Sequence, residues 1–341
     1  MSLTKLDIDR FITTLRTKSK EFNSISNVQL ASMLEETISN IKEVAFFWAT
    51  ICSDNKGTTK TPAEGEEWLG GPFASVLATQ YYIKSLTNDD DLVEKKYNSE
   101  ENSYKVFPNS FTERITFPFI DAKVIFNKSM SFEDINKYRG FSKRYDIDPS
   151  ITLVLGAGNF SSIPYLDVLY HLITRKSVIL LKLNPVNEYL KPVFEKVFQS
   201  FIERGYIIVT TGNIDESKYM ANHPGINHIH LTGSDKTFED IVYGRELTEK
   251  ERRTKSLSKV NNKPITSELG NVTPIIIHPG KWSTSDIKYQ ARKIVTAKLN
   301  NNGFNCIAAQ VVVLPDGWGQ TDTLIKFIKH YMSKAKERKA Y

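Results

Sequence analysis

Cysteine is scarce in this sequence of 341 residues, which contains only Cys52 and Cys306. Two cysteines are too few for a disulfide framework, and they lack the close spacing of a zinc site. The six histidines form no ligand pattern either. His228 and His230 share one face of a predicted strand, but no third ligand is evident nearby. We therefore expect structural histidines and no metal.

Long apolar runs are also missing. No stretch of about 18 apolar residues occurs, as a membrane-spanning helix would require. The first residues lack the basic and then apolar pattern of a secretory signal. The hydrophobic content of 40% and the charged content of 25% are typical of a globular protein. We predict a cytoplasmic protein with no membrane partner.

Charge of one sign is not concentrated. The net charge of +6 is spread along the chain, apart from basic runs at residues 250–259 and 334–339. Such runs are usually solvated helix faces, because nucleic-acid sites cluster Lys and Arg with stacking aromatic residues. The sequence therefore predicts no nucleic-acid partner. A mildly basic surface favours attraction of an anionic dinucleotide.

The periodicity of apolar residues changes near residue 150. Before that point, the spacing predicts two helices within residues 5–52, a third helix around residues 76–86, and an exposed polar loop over residues 88–109. Alternating apolar residues then predict two strands, at residues 115–117 and 122–126. After that point, strand and helix patterns alternate four times, with the strands at residues 151–155, 177–182, 206–210 and 228–232. This alternation predicts a doubly wound parallel sheet, which binds nucleotides at the carboxyl ends of its strands.

Three short segments that contain glycine supply a carboxamide, a carboxylate and a thiol. Asn159 lies in Gly-Ala-Gly-Asn-Phe, Glu268 lies in Ser-Glu-Leu-Gly-Asn, and Cys306 ends Asn-Asn-Gly-Phe-Asn-Cys. Acyl chemistry on an aldehyde needs these groups: a thiolate adds to the carbonyl, an amide stabilises the oxyanion, and a carboxylate activates water. Structural alternatives stay open: a helix-capping Asn, a surface Glu and a half-buried Cys.

In order and spacing, these segments resemble the aldehyde dehydrogenase superfamily from about residue 145 to residue 315. The Glu268 segment resembles the family's Leu-Glu-Leu-Gly-Gly, and the Cys306 segment resembles its Asn-x-Gly-Gln-x-Cys. The resemblance implies an aldehyde dehydrogenase-like α/β fold, with a doubly wound Rossmann-type parallel sheet, a helical N-terminal region and a partial second α/β catalytic domain. Three domains are expected. Residues 1–145 form a helical region with a short strand pair that packs on the nucleotide domain. Residues 146–268 form the NAD(P)-binding domain, and residues 269–341 form the partial catalytic domain.

The resemblance also implies roles for individual residues. Cys306 is the expected nucleophile, Glu268 the general base that hydrolyses the thioester, and Asn159 the oxyanion donor, together with the backbone amide of Cys306. The chain would then oxidise an aldehyde to a carboxylic acid with NAD(P)⁺ through a thiohemiacetal and a thioester. Its expected partner is a small-molecule aldehyde, and a homo-oligomer is expected if a complete chain exists.

NAD or NADP is the implied cofactor. The cofactor-binding residues expected from the resemblance are Lys182, Gly158, Gly233, Ser234 and Leu269. Lys182 would contact the adenosine ribose, while Leu-Thr-Gly-Ser at residues 231–234 resembles the Phe-Thr-Gly-Ser segment beside the diphosphate. The family's ribose-binding Glu is replaced by Pro185, which cannot accept from a 2′-hydroxyl. The choice between NAD and NADP therefore stays open.

Several positions depart from the family pattern. Phe238 replaces a repeated Gly, Asp235 adds negative charge near the expected phosphates, and Phe304 replaces a Gln. The chain also ends soon after Cys306, so we expect a chain truncated at its C-terminus. These departures keep two alternatives open: a catalytically impaired homologue that acts as a nucleotide-binding or assembly module, and an acyl-CoA reductase. Glu268 disfavours the reductase, because such relatives commonly lack this Glu.

Overall fold

The computed structural model describes residues 3–87, 97–138, 148–254 and 257–335. The described helices are α1 (Lys5–Asn23), α2 (Asn27–Lys56), α3 (Glu64–Trp68), α4 (Ala74–Thr87), α5 (Phe111–Thr116), α6 (Phe132–Tyr138), α7 (Ile163–Thr174), α8 (Lys191–Val197), α9 (Gln199–Glu203), α10 (Ile214–Asn222), α11 (Asp235–Tyr243), α12 (Glu249–Arg252), α13 (Thr284–Leu299) and α14 (Thr321–Met332). A π-helical turn (Leu69–Phe73) precedes α4, and 3-10 turns (Pro185–Leu190 and Asn300–Gly303) precede α8 and follow α13.

The described strands form three sheets. They are β1 (Tyr97–Asn98), β2 (Ser103–Phe107), β3 (Ala122–Ile125), β4 (Ile151–Leu155), β5 (Val178–Lys182), β6 (Ile207–Thr210), β7 (His228–Gly233), β8 (Ile265–Leu269), β9 (Ile275–Ile276) and β10 (Val312–Val313). The largest sheet has the order β6-β5-β4-β7-β8, and all of its pairs are parallel. Strands β1, β2 and β3 pair antiparallel, while β9 and β10 pair in parallel.

The five-stranded sheet forms because its central strands are apolar throughout. Every residue of β4 and β5 is buried, as expected for parallel strands that are covered on both faces. Helices α1 and α7 both pack on these two strands. Trp48 of α2 is fully buried in the surrounding core, with its ring centroid 5.6 Å from that of Phe194 and 6.5 Å from that of Tyr165. Of the two long N-terminal helices, α1 therefore packs directly on this sheet, whereas α2 packs mainly on other helices, including α8 and α9, which contact β6.

Local signals fix both ends of α2. Ser26 and Gln29 form a capping box at its start, with the side chain of each residue bonded to the backbone of the other. Gly57 ends the helix in the left-handed conformation, with φ of 65°, which glycine adopts without steric cost. Lys56 is therefore the last helical residue, at the end of a helix that is buried along much of its length.

A smaller apolar cluster follows β8. Ile287, Ala291 and Ile294 of α13 pack with Leu324 of α14 and with Ile277, which follows β9. The segment with Cys306 connects α13 to β10 along the chain, and both of these elements contribute to this cluster. The expected doubly wound sheet, helical N-terminal region and partial second α/β unit are confirmed by this arrangement. The proposed domain boundaries stay a prediction.

Two of the local predictions are wrong. Residues 115–117 were expected to form a strand, but residues up to Thr116 belong to α5. The reason is a capping box between Ser110 and Glu113, which starts a helix at Phe111. The loop predicted over residues 88–109 contains β2, which pairs with the correctly predicted strand β3. Periodicity over so few residues does not separate strand from helix.

Some predictions fall on residues that the structure does not describe. These are the start of the loop at residues 88–96, the domain boundary at residue 145 and most of the basic run at residues 334–339. Within the described ranges, no helix is both long enough and apolar enough to cross a membrane.

Candidate functional site

The predicted oxyanion donor lies in the turn between β4 and α7. Asn159 is partly buried, and its Nδ2 donates to the backbone carbonyl of Phe304 at 2.9 Å. The two residues are 145 positions apart in the sequence. This hydrogen bond therefore joins the turn after β4 to the segment that carries Cys306.

An unusual backbone conformation precedes Cys306. Asn301, Asn302 and Gly303 are three successive residues with positive φ, at 49°, 56° and 80°. Asparagine tolerates this region better than other residues with a side chain. The backbone N–H of Phe304 then donates to the Asn301 carbonyl at 3.0 Å and closes the turn. Cys306 follows this turn and is exposed, so its thiol is open to a small molecule.

Cys52 contrasts with Cys306. It is fully buried on α2. Burial and, to a smaller extent, the nearby Glu67 carboxylate raise the pKa of the Cys52 thiol to about 11. Only a thiolate is a good nucleophile, so Cys52 is a packing residue at neutral pH.

The predicted general base lies on the edge of the large sheet. Glu268 is exposed in β8, level with Thr232 of β7. Strand β7 separates β8 from β4, and neighbouring strands lie about 4.8 Å apart, so the backbone of Glu268 is roughly 10 Å from the end of β4. The structure thus places Asn159 in contact with the Cys306 segment. Glu268 lies at the same carboxyl end of the sheet, but two strands away from β4.

The predicted cofactor residues lie at the carboxyl ends of the strands. Lys182 ends β5, Gly233 ends β7 and Leu269 ends β8. Gly158 lies in the turn after β4, where a side chain would not fit: an added Cβ would lie 2.9 Å from the side chain of Asn184. The turn after β4 and the segment after β5 therefore approach closely, as at the nucleotide crevice of doubly wound folds.

Ser234 begins α11. Its side chain accepts from the backbone N–H of Thr237 at 3.1 Å, so Ser234 is the N-cap of a nine-residue helix. The charge of Asp235 is countered by Arg252, at 3.4 Å. Phe238 is partly buried against the main core. The two residues expected to disturb a diphosphate here are thus engaged within the protein.

Sequence reasoning missed two carboxylates near Lys182. Burial lowers the pKa of Lys182, and the nearby Glu188 and Glu216 carboxylates oppose this shift. Glu188 Oε1 also accepts from the backbone N–H of Gly212 at 3.4 Å. The family pattern drew attention to Pro185, and nothing local marked the Glu three positions further along the chain.

Sequence reasoning also missed a buried ion pair. Lys56 Nζ lies 2.9 Å from Glu67 Oε1 and also donates to the backbone carbonyl of Asn159 at 3.1 Å. One signal was available: Lys56 lies four residues after Cys52 on a helix, which puts both side chains on the same buried face.

His230 takes part in a buried hydrogen-bond network. Its Nε2 lies 3.2 Å from Asp167 Oδ1, and its Nδ1 lies 2.8 Å from Thr266 Oγ1. Across the described ranges, no group of three or more His, Cys, Asp or Glu side chains is arranged to hold a metal ion. The contacts of His230 fit a structural role.

Comparisons with known proteins bear on both the sequence and the fold. The family model described as "Aldehyde dehydrogenase family" matches residues 173–339. A curated relative, D-glyceraldehyde dehydrogenase (NADP(+)) from Picrophilus torridus, is 24% identical over 198 residues, which cover 58% of this chain and 36% of the relative. This chain therefore matches little more than a third of the relative's length.

Solved structures share the fold over nearly the whole chain. A crystal structure of NADP-dependent glyceraldehyde-3-phosphate dehydrogenase from Bacillus halodurans, complexed with NADP, has a TM-score of 0.62 and 17% identity, covering 98% of this chain and 58% of that one. An aldehyde dehydrogenase from Bartonella henselae has a TM-score of 0.65 and 13% identity, with the same coverage. The expected resemblance and fold class are confirmed.

Proposed function

We propose that this chain, a member of the aldehyde dehydrogenase superfamily, oxidises an aldehyde to a carboxylic acid with NAD⁺ or NADP⁺. The observation that carries the proposal is the hydrogen bond from Asn159 to Phe304, two residues before Cys306. Acyl chemistry needs a nucleophile and an oxyanion donor side by side. The same observation supports Cys306 as the nucleophile and Asn159 as the donor.

The proposed steps use the chain's own groups. The Cys306 thiolate adds to the aldehyde carbon, the carbonyl electrons move to oxygen, and the Asn159 amide and the Cys306 backbone N–H donate to that oxyanion. A nicotinamide cofactor held at the strand ends would supply the oxidant for loss of hydride from this carbon, which leaves a thioester on Cys306. Glu268 then takes a proton from water, which attacks the thioester carbon. The carboxylic acid departs and the sulfur leaves as a thiolate.

The ends of the strands fit an elongated anionic cofactor. Lys182 supplies a cation at the end of β5, and the crowded glycine at residue 158 allows the backbone to approach a ligand. Ser234 opens α11, whose N-terminus favours a diphosphate. We propose that these residues, with Gly233 and Leu269, hold the cofactor. We further propose a cytoplasmic setting, because a reducing compartment keeps the exposed Cys306 as a thiol.

We expect NAD to be preferred over NADP. The carboxylates of Glu188 and Glu216 raise the pKa of Lys182, against the effect of burial. Beside the proposed ribose contact of Lys182, a carboxylate would accept from a 2′-hydroxyl but repel a 2′-phosphate. Glu188→Gln should therefore raise the ratio of kcat/KM for NADP over NAD by about tenfold, which is equivalent to ~1.4 kcal/mol. Steady-state kinetics with each cofactor at a fixed aldehyde concentration measure this ratio.

The control for the cofactor prediction is Glu195→Gln, which removes an exposed carboxylate on α8 that is paired only with Lys191 among the described ion pairs. This control should leave the ratio unchanged. Equal ratios for Glu188→Gln and the unaltered chain would show that Glu188 does not face the ribose.

The proposed function is tested by assaying the full chain in both directions. One arm supplies a panel of aldehydes, including glyceraldehyde, with NAD⁺ or NADP⁺, and the other supplies an acyl-CoA with NADH or NADPH. Reduced cofactor that forms only when an aldehyde is present supports the proposal. Oxidation that depends on acyl-CoA would favour a reductase. Binding of either cofactor without turnover in both arms would favour a nucleotide-binding module.

A further inference from the structure

The Lys56 ammonium is buried and hydrogen-bonded to groups from three other parts of the fold. Its side chain is 8% exposed, and that of Glu67 is 4% exposed. Lys56 Nζ donates to both carboxylate oxygens of Glu67, at 2.9 and 3.0 Å. It also donates to the Asn159 carbonyl and to Asn301 Oδ1, both at 3.1 Å. One cation therefore joins α2, α3, the turn after β4 and the turn before Cys306.

Asn159 is held on two sides. Its carbonyl accepts from Lys56 Nζ and from Asn301 Nδ2, the latter at 3.0 Å, while its own side chain donates to Phe304. Hydrogen bonds from a charged donor are about twice as strong as those between neutral groups. The contact with Lys56 therefore fixes the peptide from which the proposed oxyanion donor projects.

The turn before Cys306 depends on the same contacts. Asn301 has positive φ, and its backbone N–H donates to Glu66 Oε2 at 2.8 Å. Its side chain accepts from Lys56, and its Nδ2 contacts Asn305 Oδ1 at 3.2 Å. A non-glycine residue persists in this region only where its surroundings hold it. Helices α2 and α3 supply that support from far away in the sequence.

We propose that Lys56 and Glu67 form a positioning pair, which holds the Asn159 turn and the Cys306 turn in register for the proposed reaction. A buried ion pair adds little net stability over apolar residues of similar size, so its contacts with two site turns point to orientation. The inference rests on the proposed function for its catalytic meaning. The mechanical link itself can be tested without turnover.

The first test measures hydrogen exchange in the full chain carrying Lys56→Met and Glu67→Leu together. Replacing both partners avoids an unpaired buried charge and should keep the thermal midpoint. Amides in residues 301–308 should exchange about tenfold faster, since the turn loses its contact with α2, while amides of β4 and β5 should keep their protection. Unchanged exchange in residues 301–308 would overturn the inference, whether or not the chain oxidises aldehydes. Faster exchange throughout the chain would also overturn it, because the pair would then serve global stability.

The second test measures steady-state kinetics of the same double variant. Loss of register should lower kcat about tenfold or more, because small displacements of reacting groups are costly, while KM for the aldehyde stays within about twofold. The control is Lys105→Met with Asp121→Leu, an exposed ion pair at 2.6 Å beside β2 and β3, which should change neither value. A double variant with locally faster exchange but normal kcat would overturn the positioning role. An inactive unaltered chain would count against the proposed function and would leave the exchange result to decide this inference.

Discussion

Replacing Cys306 by alanine is expected to lower kcat/KM for aldehyde oxidation by more than about 10³-fold. In the proposed mechanism, hydride leaves from a tetrahedral adduct on Cys306, and the variant has no sulfur with which to form this adduct. In their proposed roles, Asn159 and Glu268 act only on that adduct and on the thioester that follows it. The rate of NAD(P)H formation, measured by absorbance, checks this result with each cofactor.

The chain offers its own matched control. Cys52→Ala removes the other thiol, which is fully buried on α2 and whose pKa is raised to about 11 by burial. This variant should lose some stability, because a small buried side chain is shortened, but should keep its activity at a temperature where it is folded. If Cys306→Ala remained active while Cys52→Ala did not, the assignment of the nucleophile would be reversed.

The sheet could be predicted from sequence because its signals are local and redundant. Continuous apolar runs at β4 and β5 permit few interpretations other than buried strands. The alternation of strand and helix patterns is a second signal for the same parallel sheet. The segment at residues 115–117 shows the limit of this reasoning. Its apolar alternation is short, and the competing signal is a pair of residues upstream, Ser110 and Glu113, whose hydrogen bonds start a helix.

The candidate site likewise contains some residues that local sequence segments reveal and others that only the folded structure reveals. Cys306, Glu268 and Asn159 stand in short recognisable segments, so a family resemblance was enough to single them out. The pair of Lys56 and Glu67 has no such segment. Its meaning comes from contacts such as the one between Lys56 and Asn301, which are 245 residues apart, and only the folded chain brings these groups together.

Glu188 extends the same point to the cofactor region. The family pattern directs attention to the third residue after Lys182, which is Pro185, and so indicates that a ribose acceptor is missing. The 3-10 turn from Pro185 to Leu190 instead carries a carboxylate from further along the chain, and this carboxylate acts on Lys182. Under the proposed cofactor preference, Glu188 therefore takes the place of the missing motif residue.

Glu268→Gln should separate the two halves of the proposed reaction. Addition of Cys306 and loss of hydride do not require the carboxylate, whereas attack of water on the thioester does. We expect a rapid burst of about one NAD(P)H per chain, followed by a steady-state rate lower by about 10²- to 10⁴-fold, the usual contribution of a general base. Intact-mass measurement after the burst should show the acyl group on the protein.

Two companion variants decide what the Glu268→Gln result means. Glu133→Gln removes an exposed carboxylate from α6 and should behave like the unaltered chain. Glu268→Gln combined with Cys306→Ala should show neither burst nor adduct, since the acyl group would have no sulfur to occupy. If the single Glu268→Gln variant turned over at the normal rate, another group would have to activate water. If it gave no burst, Glu268 would instead be needed before the thioester forms, for instance to deprotonate the Cys306 thiol through a water molecule.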